Sequence, residues 1–239
     1  MEFEITPLGD SGVMIRFGHR MNLAIHQYVI SFVRLLEHVP IAGVTEIVPG
    51  IASVAVYYDP ILLYDLQNSK LSPFEWMSFK LKELCGQMSG DESTKSRVLD
   101  IPVCYGGEFG PDLDYVASYH GLTPQEVIDI HSKGSYLVYM MGFTPGFPYL
   151  GGMDERIATP RLNSPRLSIP IGSVGIGGNQ TGIYPIESPG GWQLIGRTPL
   201  DLFCPQYDPP CLINTGDVIY FRPITSVEFD RLRRKNNEY

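Results

Sequence analysis

The sequence predicts an α+β domain followed by a mainly β barrel domain. Three observations lead there. Residues 1–90 alternate strand-like and helix-like apolar periods, residues 89–96 carry no apolar side chain, and residues 142–199 mix 12 glycines and 8 prolines with scattered branched apolar residues. A chain of 239 residues is long enough to give each of two domains its own core. Its 44% hydrophobic and 18% charged residues are globular values.

In the first domain, segments 3–8 and 13–17 alternate as strands around the turn Gly9-Asp10-Ser11-Gly12. From Asn22 onward, Leu23, Ile25, Tyr28, Val29, Phe32, Val33, Leu36 and Val39 recur at three- and four-residue steps, which is one apolar helix face. Strands at 44–48 and 53–58 follow across a Pro49-Gly50 turn. Ser72-Pro73-Phe74-Glu75 forms a capping box with proline in the first helical position. The helix behind it buries Phe74, Met77, Leu81, Leu84 and Met88. The order ββαββα gives one sheet covered on one side.

The polar run 89–96 is the domain boundary. Beyond it, 98–105 reads as a strand and Pro111 opens a helix. A second capping box at Thr123-Pro124-Gln125-Glu126 starts a helix through His131, and 136–141 is again a strand. A last strand at 217–222 and a third box, Thr225-Ser226-Val227-Glu228, lead into a basic helix. In between, short apolar pairs bounded by glycine and proline fit many short strands and tight turns, as in a closed barrel.

Several function classes are excluded. A net charge of −8 is wrong for a sequence-independent nucleic-acid surface. No run reaches the roughly 18 apolar residues of a membrane span. MEFEITPLGD has neither a basic region nor an apolar signal core, so the expected location is cytoplasmic. Cys85, Cys104, Cys204 and Cys211 form no CxxC pair, and the five histidines show no HExxH or HxxxH spacing. Reduced thiols and no resident metal are therefore expected.

The chemistry concentrates in 142–199. Its cations are Arg156, Arg161, Arg166 and Arg197, with no lysine from 134 to 234. An arginine fork grips carboxylate or phosphate at two points, as lysine does not. The stretch 172–182, GSVGIGGNQTG, suits either a nest of backbone N–H groups for an anion or a hairpin that needs positive φ. It fits neither the dinucleotide fingerprint nor the P-loop, and no GxSxG elbow exists.

GFTPGFPYLGG, ATPRLNSPRLSIPIGSVGIGGNQTGIYP and SPGGWQLIGRTP resemble the family once labelled allophanate hydrolase subunit 1. Its members are now largely read as the B subunits of bacterial 5-oxoprolinase and include the sporulation-kinase inhibitor KipI. IPVCYGGEFGPDL and LGDSGVMIRFG look like family blocks too, so the resemblance covers nearly the whole chain. Thr144 and Ile171 stand where small residues are expected, with no change of charge.

The resemblance implies a ferredoxin-like α+β domain at 1–90 and a cyclophilin-like β-barrel at 97–239. It also implies one of two functions. The first is a component of an ATP-dependent 5-oxoprolinase, inactive alone, opening 5-oxo-L-proline to L-glutamate with A-like and C-like partner subunits. ATP and magnesium would be bound with or by those partners. Arg161 or Arg166 would then clamp the substrate carboxylate beside Phe147, Tyr184 and Trp192. The amides of Gly175, Gly177 and Gly178 would hold an anion, Asn179 and Gln180 would read the lactam, and Glu187 would be the base. The alternative is an inhibitor of sensor histidine kinase autophosphorylation that docks on the kinase dimerisation domain.

Overall fold

The computed structural model describes residues 2–19, 22–66, 71–88 and 96–236. The chain divides into two compact units, Met1–Lys95 and Ser96–Tyr239. Of the polar run expected to be a linker, 89–95 lie outside the described residues.

The first unit opens with the hairpin β1 (Glu4–Pro7) and β2 (Gly12–Arg16), followed by α1 (Leu23–His38), β3 (Val44–Pro49) and β4 (Ser53–Tyr58). Helices α2 (Pro60–Leu66) and α3 (Pro73–Gln87) complete it. The four strands form one antiparallel sheet in the order β1-β2-β4-β3. Val13, Ile15, Val54 and Val56 of the sheet meet Val29, Phe32 and Leu36 of α1 and Met77, Leu81 and Leu84 of α3 in one core. Asn22 caps α1 through the amides of Ala24 and Ile25. Ser72 and Glu75 close the expected capping box on α3.

Helix α2 has no counterpart among the predicted elements. Its signal is nonetheless present: Asp59 Oδ1 accepts from the amides of Ile61 and Leu62 at 2.9 and 3.1 Å, and Pro60 follows in the position proline favours. The apolar residues Ile61, Leu62, Tyr64 and Leu66 then point outward, and only Leu63 is buried, so no apolar face announces the helix.

The second unit is a closed seven-stranded barrel with helices and a separate two-stranded ribbon. Its elements run β5 (Val98–Tyr105), α4 (Leu113–His120), α5 (Pro124–Lys133), β6 (Tyr136–Met141), β7 (Pro148–Gly151), β8 (Arg166–Ile169), β9 (Ser173–Gly177), β10 (Gln180–Ile183), β11 (Ser188–Gly190), β12 (Gln193–Arg197), β13 (Val218–Pro223) and α6 (Ser226–Asn236). Around the barrel the order is β10-β7-β6-β13-β5-β12-β9, and β8 with β11 forms the ribbon. Neighbouring barrel strands run antiparallel except β13 with β5, which are parallel. Ile101, Val103, Val138, Leu150, Val174, Ile176, Ile195 and Ile219 fill the interior, closed by Val116 and Val127 from α4 and α5.

The glycine- and proline-rich segment is therefore ordered, as its apolar scatter implied. MGFTPGFPYLGG is the end of β6, a tight loop and β7. Gly142 N–H donates to Phe147 O at 3.1 Å and Phe147 N–H to Thr144 O at 3.1 Å, closing the loop on itself. Gly146 takes φ +81° where a Cβ would sit 2.9 Å from Phe203 Cβ, so glycine is required there. Phe143 also takes a positive φ, +68°, with its ring largely exposed. A non-glycine residue in that region carries backbone strain.

Candidate functional site

A second, smaller apolar cluster lies in the barrel unit, built from Phe147, Ile169, Tyr184, Trp192 and Leu194, with Tyr149 against it. Phe147 is its hub. Its ring meets Phe143 at 5.5 Å, Tyr149 at 5.0 Å, Tyr184 at 5.3 Å and Trp192 at 5.6 Å, all with steeply tilted planes. These are the edge-to-face geometries that aromatic quadrupoles favour. Three of the residues predicted to touch substrate are nearly closed to solvent: Phe147 and Tyr184 are 2% exposed and Trp192 is 5%. They form a floor. The more exposed residues in contact with it are Phe143, Arg161 and the partly exposed Tyr149 and Arg166.

The predicted glycines explain how the floor packs so closely on the barrel wall. A Cβ on Gly177 would lie 2.5 Å from Trp192 Nε1, and one on Gly175 3.1 Å from Trp192 Cβ. A Cβ on Gly182 would come as near to Trp192 and Phe147, at 3.0 and 3.1 Å. These glycines let the indole lie directly on the barrel wall. Gly175 and Gly177 sit within the β9 ladder, opposite Gly182 and Gln180. Gly178, at φ +66° in the turn, donates its N–H to Thr159 O at 2.8 Å. The Gly178 amide is thus committed to a carbonyl, and the hairpin reading replaces the anion nest. Asn179 is exposed in the same turn and Gln180 is half-buried beside it.

The two arginines differ sharply. Arg161 places its guanidinium 5.7 Å from the Trp192 ring centroid, a cation–π contact. Arg166 is held: Nη2 donates to Asp112 Oδ1 at 2.7 Å, and Nη1 lies 3.5 Å from Trp192 O. The Asp112 carboxylate is mostly buried, and its Oδ2 accepts the Leu194 N–H at 2.6 Å. Burial pushes the Tyr184 phenol above its ordinary pKa, while a hydrogen bond with the Trp192 backbone and the charges of Arg161 and Arg166 pull it back. Both guanidinium groups therefore act on one phenol. Glu187, just before β11, accepts from Ser168 Oγ at 2.7 Å and is exposed.

The other arginines of the segment are differently placed. Arg156 makes a two-nitrogen contact with Asp154, its Nη2 at 2.7 Å. Arg197 lies over Phe109 at 5.8 Å. A cavity of about 390 Å³ lies at the end of α5, lined by Asp129, Lys133, Asp154 and Arg156 among others. Its charges are paired internally, Lys133 with Asp129 and Arg156 with Asp154, so it offers an incoming ion little. Among the described residues no three His, Cys, Asp or Glu side chains gather as a metal set.

Sequence reasoning missed two polar centres. One is Asp112, which has no motif spacing to mark it. The other is His131 in α5, fully buried between Tyr105 and Thr181. Thr181 Oγ1 donates to Gly175 O at 3.0 Å, so it accepts from His131 Nε2–H at 2.9 Å. His131 Nδ1 is then the acceptor for the Tyr105 hydroxyl at 2.8 Å. Burial drives the imidazole pKa down to about 3, so the ring is neutral.

Residues 3–213 match the family described as carboxyltransferase domain, subdomain C and D. The B subunit of 5-oxoprolinase from Bacillus subtilis (strain 168) is 48% identical over 238 residues, 99% of each chain. The protein of the same name from Escherichia coli O157:H7 is 40% identical over 216 residues, 90% of this chain and 94% of that one. Among solved structures, PH0987 from Pyrococcus horikoshii is 47% identical, with 95% of this chain and 100% of that one covered and a TM-score of 0.56. A family match over residues 3–213 and relatives that align nearly end to end with the chain place it in the carboxyltransferase-domain subdomain C and D family, together with the 5-oxoprolinase B subunits.

Proposed function

We propose that this chain is the B subunit of an ATP-dependent 5-oxoprolinase, which cleaves 5-oxo-L-proline to L-glutamate together with A-like and C-like partner chains. The observation that carries the reading is 48% identity across 99% of both chains with a protein of that name. The finer fold reading goes with it. The strand order β1-β2-β4-β3 is that of a ferredoxin-like sandwich whose last strand has moved to the front of the chain, and the closed barrel flanked by helices supports a cyclophilin-like second domain.

Ring opening adds one water across the C–N bond of the lactam, a stable amide. ATP bound with or by the partner chains would supply the phosphoryl group that activates the carbonyl oxygen and leaves as phosphate, with a second water balancing ATP hydrolysis. In this reading Arg161 receives the substrate carboxylate. The cation–π contact with Trp192 holds its guanidinium over the floor, and no carboxylate of the described residues competes for the fork. Arg166 supports the floor through Asp112. Glu187, oriented by Ser168, is the base for water, and Asn179 and Gln180 read the lactam amide from the β9–β10 turn. Phe147, Tyr184 and Trp192 exclude water from beneath. No anion-binding role passes to Gly175, Gly177 or Gly178, because the first two belong to the barrel ladder and the third donates to Thr159. ATP with magnesium is read as bound with or by the partner chains, a reading with which the described residues agree in gathering no three His, Cys, Asp or Glu side chains. The work of this chain is to bind, orient and desolvate the lactam and to take a proton from the attacking water.

The test is ATP-dependent glutamate release by the chain alone and with its A-like and C-like partners. Turnover is expected only in the mixture. Arg161→Lys in the mixture should raise KM for 5-oxoproline about 5- to 150-fold, as for loss of a charge-assisted bond of about 1–3 kcal/mol. Turnover by the isolated chain would remove the reading of this protein as one part of a larger enzyme. A complex that never releases glutamate but binds a histidine kinase dimerisation domain would favour an inhibitor.

A further inference from the structure

Asp112 stands at the N-cap of α4, where an aspartate ordinarily accepts from the first free amides of the helix. Here it makes no capping bond. One oxygen takes the Leu194 amide beside the irregularity in β12, and the other takes Arg166. The helix goes without its cap so that the carboxylate can reach the arginine site. Without that carboxylate, two guanidinium charges would surround Tyr184 unopposed. With it, Arg166 is neutralised at 2.7 Å in a partly buried pair, and of the two arginines only Arg161 has no carboxylate partner among the described residues. We infer that Asp112 determines specificity: by neutralising Arg166 it leaves the arginine pair with a single positive charge, which selects a ligand with one carboxylate and rejects one with two. The inference rests on the reading that Arg161 receives the substrate carboxylate.

The geometry also separates this role from simple support. Asp112→Asn keeps an oxygen for the Leu194 amide but releases the Arg166 charge. The reconstituted complex is assayed with 5-oxoproline as substrate and glutarate, a dicarboxylate of similar reach, as competitive inhibitor. In Asp112→Asn the inhibition constant for glutarate, relative to KM for 5-oxoproline, should fall about tenfold, the scale of one added unit charge near a protein surface. Asp112→Glu should restore the wild-type ratio. Asp112→Asn combined with Arg166→Gln should restore it as well, because the arginine pair is again reduced to the one charge of Arg161. A ratio unchanged in Asp112→Asn, or both constants weakened equally with a lower Tm, would overturn the inference and leave Asp112 a fold residue. If instead Arg161→Lys leaves KM unchanged, the carboxylate reading itself fails and takes this inference with it. Should Asp112→Asn fail to assemble, the double variant still reads the charge count. Assembly of that variant with a preference for glutarate would also reject the proposal.

Discussion

Gly177 shows how one missing side chain shapes the site. An added Cβ meets the indole of Trp192 at 2.5 Å, and the indole is buried under Arg161 and against Phe147, so it cannot swing aside freely. Gly177→Ala should therefore destabilise the chain by about 1–3 kcal/mol, the usual effect of overpacking, and change the near-ultraviolet circular dichroism of the tryptophans. Gly178→Ala meets no neighbour within 4 Å but must hold φ +66°, so a smaller loss, about 1 kcal/mol, is expected with the tryptophan signal intact. Chemical denaturation of the two variants side by side checks the order. The sequence identifies these glycines, and Arg161 beside them, as worth attention. It leaves open whether they serve an anion or a hairpin, because a glycine run looks the same whether amides are exposed or an indole needs room. Arg166 is equally ambiguous. Its partner Asp112 lies 54 positions away, a separation that no local pattern reveals.

At the scale of elements, local signals carry most of the fold. The boxes at Ser72 and Thr123 are complete, with Glu75 and Glu126 each returning a bond to the cap residue. The third box is half made: Thr225 Oγ1 accepts from the Glu228 amide, but the Glu228 carboxylate turns to Arg222 at 3.1 Å. Helix α5 is fastened to the barrel by a long-range device, the chain from Tyr105 through His131 to Thr181, which periodicity does not disclose. That fastening makes the protein sensitive to acid. In the folded state His131 titrates near 3 and in the unfolded chain near its ordinary 6.5, so as pH falls below 6.5 the unfolded chain binds the proton first. Stability is unaffected by this group above that value and drops by about 1.4 kcal/mol per pH unit below it, or about 2 kcal/mol by pH 5. Urea midpoints at pH 7 and pH 5 should show the loss. His131→Gln, weaker at pH 7, should show a shallower dependence over the same interval, and an equal slope in both proteins would rule His131 out as its source.

For the whole molecule, composition and the polar run at 89–96 anticipate an α+β part and a barrel part. What they do not convey is which strands close the barrel, since β7, β10 and β12 carry only four or five residues each and glycine in the ladder hides their alternation. Each unit holds its own apolar cluster. A fragment of residues 97–239 should accordingly remain folded and melt cooperatively, and protease should cut first within 89–96, where the sequence carries no apolar residue. A fragment without a cooperative melt would count against independent units.

The parallel pairing of β5 with β13 joins the first barrel strand to the last, Val98 opposite Val218 through Val103 opposite Pro223. During synthesis the first of these strands must wait for about a hundred later residues before its neighbour exists. Until then β5 carries an open edge, and the barrel cannot shut around Ile101 and Val103. Such long-range closure is slow, and it leaves the growing chain open to wrong pairings. A stop anywhere before residue 218 would yield no smaller barrel but an unclosed sheet with its apolar interior on show, a natural client for chaperones and proteases.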